Sequence, residues 1–169
     1  YIGDWSSDVC SSDLNNSGVL SRISGLFTRR GYNIDSITAG VTADPRFTRI
    51  TIVSSGDEII LSQIEKQIAK LEDVIVVKVL KPEESVYREL ILVKIRANAQ
   101  QRSEIVSIAD IFRAKIVDAE RESLVIELTG TQSKLEAFLQ LLDGYEILEL
   151  ARTGIAGLSR GIKDVTFIE

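Results

Sequence analysis

The feature that most constrains this chain is an order of predicted helices and strands that occurs twice. In the second half, apolar residues recur with a period of two or of 3.6, which predicts strand, helix, strand, strand, helix and strand in turn. The predicted elements are residues 87–96, 103–113, 115–119, 123–128, 131–142 and 145–151. This βαββαβ order is that of the ferredoxin-like unit, so we expect an α+β domain.

The first half shows the same order without its first strand. Its predicted elements are a helix that ends at Gly31, strands over 32–41 and 47–54, a helix capped by Asp57 and a strand over 74–80. The chain is therefore expected to hold two ferredoxin-like βαββαβ domains, and the first strand of the N-terminal one has been replaced by other residues.

The residues in the place of that strand are unsuited to it. The first strand of this unit lies in the middle of its sheet, and a central strand is normally a short apolar or β-branched run. Residues 4–14 contain four serines and three aspartates instead. The expected segments are a non-native leader (1–14), a first domain (15–80), a polar linker with one of the two prolines (81–86) and a second domain (87–169).

Composition argues against several functional classes. The chain has no histidine, which removes the commonest general base and the commonest metal ligand. Its net charge of −5 disfavours a nucleic-acid partner, and no apolar run is long enough to span a membrane. One cysteine permits no internal disulfide, as is usual in a reducing cytoplasm. The acidic residues show no metal-loop spacing, so we predict neither a catalytic site nor a metal site.

Three short motifs each combine glycine with polar residues. In "NNSGVL" a glycine at a helix start exposes backbone N–H groups that attract a carboxylate, although an ordinary helix start capped by Asn16 or Ser17 explains it as well. In "RRGYNIDSI", Asn33 offers a polar side chain at the start of a strand, which alone says little. The segment "ARTGIAGLSRG" lacks the Lys-Ser pair of a phosphate-binding loop, so we expect a flexible contact segment.

Five blocks of the sequence together resemble one known family, the small regulatory subunits of acetolactate synthase. The blocks occur in order between about Asn15 and Gly161. They are "NNSGVLSRISGLFTRRGYNIDSITAG", "RFTRITIVSSGDE", "QIEKQIAKLEDVI", "RELILVKIRA" and "ARTGIAGLSRG".

The resemblance implies an N-terminal ACT domain and a C-terminal ferredoxin-like domain. It also implies a protein that is not itself an enzyme and holds no cofactor. Such a subunit binds the large catalytic subunit, which carries thiamine diphosphate, FAD and Mg. It raises the activity of that subunit and confers feedback inhibition by valine, with leucine or isoleucine as alternative effectors, in branched-chain amino acid biosynthesis. A homodimer through the ACT domains and a bacterial cytoplasmic location are implied as well.

The resemblance further implies an effector site for valine where two ACT domains meet. Its residues here are Asn15, Ser17, Gly18, Val19, Leu20, Asn33 and Ile34. Backbone N–H groups near Gly18 suit the carboxylate of an amino acid, and an asparagine amide suits both its ammonium and its carboxylate. The apolar neighbours suit a branched side chain.

The chain departs from the family pattern before Asn15, where the family has a hydrophobic strand. Residues 4–14, "DWSSDVCSSDL", resemble a translated sequencing-library adapter. We therefore expect no function for Trp5 or Cys10.

Two other functions remain as alternatives. An ACT-type amino-acid sensor that serves a different enzyme shares the first half, but the second half and "GLSRG" resemble the synthase subunit instead. An enzyme in its own right is disfavoured because no histidine and no convergent set of reactive residues are present.

Overall fold

A computed structural model describes the backbone of residues 6–14 and all atoms of residues 18–162. The chain divides into two compact units, of which the second is Tyr87–Gly154. The first unit contains the residues up to Val86 and takes in the chain again from Ile155 onward. The expected α+β class and the βαββαβ order are confirmed in both units.

The first unit is a four-stranded sheet with two helices. Its elements are β1 (Ser6–Leu14), α1 (Val19–Arg30), β2 (Ser36–Val41), β3 (Phe47–Ser55), α2 (Glu58–Ile68) and β4 (Val74–Leu80). The strand order is β2-β3-β1-β4, so β1 occupies the central place that the sequence predicted for a first strand. It pairs antiparallel with β3 from Ser6 opposite Ser55 to Leu14 opposite Phe47.

The core of this unit forms because α1, α2 and β3 each present a row of apolar side chains. Helical spacing puts Ile23 and Phe27 of α1 beside Ile64 of α2, and all three are at most 1% exposed. Gly31 ends α1 in a left-handed conformation, as predicted. At its start, Gly18 occupies the capping position, whereas the predicted caps, Asn16 and Ser17, lie outside the described residues.

The second unit is a separate sheet with its own two helices. Its elements are β5 (Ser85–Arg96), α3 (Ala99–Phe112), β6 (Lys115–Ala119), β7 (Ser123–Gly130), α4 (Gln132–Leu141) and β8 (Ile147–Arg152). The strands lie in the order β6-β7-β5-β8. Alternate residues of β5 and β7 face the helices, and the buried set includes Ile91, Ile126 and Phe138.

Two element boundaries differ from the prediction because polar contacts set them. Helix α3 begins at Ala99, four residues early, because Asn98 and Gln101 form a reciprocal capping box. Strand β2 begins at Ser36 rather than at residue 32, because the chain before it bonds to the end of β3 instead of forming a regular ladder.

The segment after Gly154 is not the flexible stretch that the sequence predicted. Residues Ala156–Ser159 form a further strand, β9, which pairs with β5, whose first two residues belong to the first unit. Lys78 Nζ donates to Ser159 Oγ at 3.0 Å, and the Arg160 N–H donates to the carbonyl of Glu84 at 2.7 Å. These contacts hold the segment in place. Local sequence patterns do not predict them, because the partners are far apart in the chain.

None of the described helices is both long enough and apolar enough to cross a membrane.

Candidate effector site

The first half of the predicted site is the N-terminus of α1. Gly18 adopts φ 101°, a backbone conformation that suits glycine, and its carbonyl accepts the first helical hydrogen bond, from Arg22 N–H at 3.0 Å. Among the described residues, no side chain caps this end. The first N–H groups of a helix have no partner within the helix, so this end offers donors and a partial positive charge to an anion.

The residues that follow Gly18 differ in what they offer. The Val19 side chain is 6% exposed and belongs to the core, so its backbone is the part available to a ligand. Leu20 is 47% exposed and presents an apolar surface beside the helix start. Asn15 and Ser17, the other predicted residues of this part, lie outside the described residues.

The second half of the predicted site is the segment that leads into β2. The backbone carbonyl of Asn33 accepts from Ser54 Oγ at 2.6 Å, and the N–H of Asp35 donates to the carbonyl of Val53 at 2.8 Å. Ile34 between them packs partly against the first core. The amide Nδ2 of Asn33 donates to Asp35 Oδ1 at 2.5 Å. The segment is thus anchored to β3 while Asn33 stays exposed.

Within one copy of the chain, these two halves lie at opposite ends of the first unit. Gly18 precedes α1 and Asn33 follows it, and a helix of 12 residues is about 18 Å long. The sheet agrees, since Leu14 pairs with Phe47 at one end of β3 while Ser54 holds Asn33 at the other. The structure therefore does not bring the two halves of the predicted site together in a single chain.

Two contacts of the Asn33 segment were not predicted from the sequence, those with Asp35 and with Ser54. A signal for Asp35 was available, because residues two apart in the predicted strand over 32–41 project to the same side. Ser54 had no such signal, because its contact with Asn33 joins residues 21 apart in the chain.

A buried carboxylate of the second unit forms an ion pair with two hydrogen bonds. Glu89 is 6% exposed, and both of its carboxylate oxygens accept from Arg152, at 3.0 and 2.9 Å. The hydrogen bond to Glu89 raises the pKa of Arg152 above its ordinary value. The pair joins β5 to β8. Within residues 18–162, no group of three or more acidic or cysteine side chains could hold a metal ion.

Two family models match the chain, one for each half. Residues 13–76 match the ACT domain of acetohydroxyacid synthase small subunits and similar proteins, and residues 88–161 match the small subunit of acetolactate synthase.

Individual relatives agree with these matches. A probable acetolactate synthase small subunit of Methanothermobacter thermautotrophicus is 50% identical over 145 residues, which cover 85% of this chain and 86% of the relative. The small subunit of acetolactate synthase isozyme 3 of Salmonella typhimurium is 49% identical over 150 residues, covering 88% and 92%. The crystal structure of the Thermotoga maritima acetolactate synthase small subunit superposes with a TM-score of 0.88 at 40% identity, covering 94% and 99%. The chain therefore belongs to the family of acetolactate synthase small subunits, and its first half carries an ACT domain.

Proposed function

We propose that this chain is a regulatory subunit that activates the large catalytic subunit of acetolactate synthase and confers feedback inhibition by valine. The observation that carries the proposal is membership of the small-subunit family across both halves of the chain. In this proposal the thiamine diphosphate, FAD and Mg belong to the large subunit. We place the complex in the cytoplasm because one cysteine permits no internal disulfide.

The edge strands favour a homodimer through the ACT domain. Strand β2 is an edge of its sheet, has a continuous register with β3, and carries neither charge nor proline over Ser36–Val41. The edges of the second unit differ, since β6 and β8 both contain charged residues and lie beside shifts of register. Charges and bulges protect an edge from pairing with another chain, and β2 has neither.

Antiparallel pairing of β2 with β2 of a second copy would also complete the effector site. Strand β2 starts beside the end of β3 that holds Asn33, and it finishes beside the opposite end of β3. Leu14, the last residue of β1, pairs at that opposite end, and Gly18 follows Leu14 closely in the chain. A twofold axis therefore places the Asn33 segment of one copy beside the Gly18 end of α1 of the other. Each dimer would hold two such sites, and neither site is complete in one copy.

The chemistry of the combined site suits a small apolar amino acid. The free N–H groups after Gly18 can bind the carboxylate, and the amide oxygen of Asn33 can accept from the ammonium. Leu20 and Ile34 supply apolar surface for a branched side chain. Inhibition then requires that valine bind the inhibited arrangement of the complex more tightly than the active one.

The direct test is reconstitution. The chain is mixed with a large catalytic subunit of acetolactate synthase, and acetolactate formation is measured with valine, leucine and isoleucine in turn. We expect activation on mixing and loss of that activation with at least one of the three. Unchanged activity on mixing would overturn the assignment.

The placement of the site is tested by Asn33→Ala. Loss of the amide removes an acceptor for the ammonium, and a hydrogen bond to a charged group contributes about 1.5–3 kcal/mol. We expect the valine concentration for half-inhibition to rise about tenfold or more, while activation stays largely intact. Gln100→Ala, which deletes an exposed amide in the second unit, is the matched control. If valine sensitivity survives Asn33→Ala unchanged, Asn33 is not part of the site.

A further inference from the structure

We propose that Asp35 is the positioning residue of the effector site and determines which end of the Asn33 amide faces the ammonium of the effector. The inference rests on the proposed function and extends it to a residue outside the predicted site. Asp35 acts through Asn33 and need not touch the effector itself.

The geometry ties the two side chains together on an anchored piece of backbone. Asn33 Nδ2 donates to Asp35 Oδ1 at 2.5 Å. The backbone carbonyl of Asn33 accepts from Ser54 Oγ, and the backbone N–H of Asp35 donates to the carbonyl of Val53. Ser54 itself is 1% exposed. The segment therefore keeps its path without help from the Asp35 side chain, so the carboxylate is available for a role other than folding the turn.

The chemistry of the two groups makes the orientation one-sided. An ionised carboxylate can only accept hydrogen bonds, so the end of the Asn33 amide that faces Asp35 must be its NH₂ group. The amide oxygen then points away from Asp35 and remains an acceptor. An ammonium can only donate, so it needs that oxygen. Without Asp35 the amide can turn over and present its NH₂ group, which cannot bind an ammonium.

Asp35 is suited to this role because its carboxylate already accepts from the Asn33 amide. Ile34, between the two, is partly buried and packs against the first core, so the piece of backbone that carries both polar side chains is held there as well. Both Asn33 and Asp35 are exposed, as a site that a second copy completes requires.

The test uses the full chain and measures the binding of valine by titration calorimetry. Asp35→Ala removes the acceptor, whereas Asp35→Glu keeps a carboxylate that can only accept from Asn33 Nδ2. We expect Asp35→Ala to weaken valine binding about tenfold, and Asp35→Glu to keep it within about threefold of the unsubstituted chain. Asp110→Ala removes an exposed aspartate from the second unit and should leave the affinity unchanged.

Two further measurements separate positioning from a general structural effect. In the Asn33→Ala background, Asp35→Ala should weaken valine binding no further, because its effect passes through the amide. Binding of 3-methylbutanoate, which has the branched chain and carboxylate of valine but no ammonium, should not respond to Asp35→Ala when followed by NMR titration. A merely structural role would weaken both ligands alike.

Several results would overturn the inference. Equal weakening by Asp35→Glu and Asp35→Ala would show that a carboxylate at this position does not orient the Asn33 amide. Additive effects in the double variant, or no effect of Asp35→Ala, would also refute it while leaving the proposed function intact. Failure of the unsubstituted chain to bind valine, leucine or isoleucine would refute the proposed function and this inference together.

Discussion

At the scale of the residue, two glycines differ in how an alanine should affect stability: Gly18, which precedes α1, and Gly25, which lies within it. Gly18 has φ 101°, and a Cβ there would meet no atom within 4 Å, so its requirement for glycine comes from the backbone alone. Gly25 lies inside α1 with ordinary helical backbone, and a Cβ there also meets nothing within 4 Å.

These conditions predict effects of opposite sign for the same substitution. Gly18→Ala should lower the free energy of unfolding of the first unit by about 1–2 kcal/mol, because an L-residue resists the left-handed region. Gly25→Ala should raise it by about 0.5–1 kcal/mol, because alanine loses less conformational freedom in a helix. Urea unfolding of both variants measures the difference. Equal effects of the two substitutions would contradict the role of φ at Gly18.

Ion pairs at the surface of the second unit predict a pH dependence. Lys94 Nζ donates to Glu149 Oε2 at 2.8 Å, and this hydrogen bond lowers the pKa of Glu149 and raises the pKa of Lys94. A carboxyl whose pKa is lower in the folded state stabilises the fold above its unfolded pKa. That stabilisation is lost as the pH falls through the folded pKa.

The corresponding measurement compares the chain with Glu149→Gln. We expect the unsubstituted chain to be slightly more stable at pH 7, and the difference to vanish on acidification to about pH 3. It should also shrink at alkaline pH, as Lys94 loses its proton above its raised pKa. Glu65→Gln, at a position without an ion pair among the described residues, is the control. A difference that persists in acid would contradict this explanation.

At the scale of the element, β1 is the strand whose sequence and place disagree. Its register puts Ser11 opposite Ile50 on one side and Val77 on the other. Ile50 belongs to the first core, and Val77 packs against it. The neighbouring position, Ser12, pairs instead with Arg49 and Val76. The place at residue 11 thus suits an apolar side chain, as is normal for a central strand.

We therefore expect Ser11→Val to stabilise the first unit. A valine there would extend the row from Ile50 to Val77, and fully burying such a side chain contributes about 1.5–3 kcal/mol. Ser12→Val, one residue along and on the other side of the strand, should have a smaller effect. Urea unfolding of the two variants provides the comparison. Equal stabilisation by both would show that β propensity, and not the core, accounts for the gain.

At the scale of the whole molecule, each unit has its own hydrophobic core. Phe138 is fully buried in the second core and packs edge-to-face on Phe112, with ring centroids 5.4 Å apart. Phe138→Ala should lower the free energy of unfolding of the second unit by about 3–5 kcal/mol. Hydrogen exchange should then show faster exchange in β5 and β7, while amides of α1 and β3 keep their protection. Loss of protection in both units alike would contradict separate cores.

The sequence by itself determined the order of elements and the family. Apolar periods of two and 3.6 reflect which face each strand or helix buries, and they are local, so they predicted βαββαβ in the second unit and αββαβ in the first. Local cap chemistry also fixed the start of α2 at Asp57, whose side chain accepts from Ile60 N–H at 2.8 Å. Blocks such as "NNSGVLSRISGLFTRRGYNI" were long enough to indicate the small-subunit family.

Only the tertiary structure decided what depends on residues far apart in the chain. The segment after Gly154 forms β9 in the tertiary structure, where Lys78 bonds to Ser159 and Glu84 bonds to Arg160. These partners lie about 75 or more residues earlier in the chain. The tertiary structure also placed Gly18 and Asn33 at opposite ends of α1, and it joined Asn33 to Ser54. A local sequence pattern indicates which face of a helix or strand is buried, but it does not indicate which distant residues that face contacts.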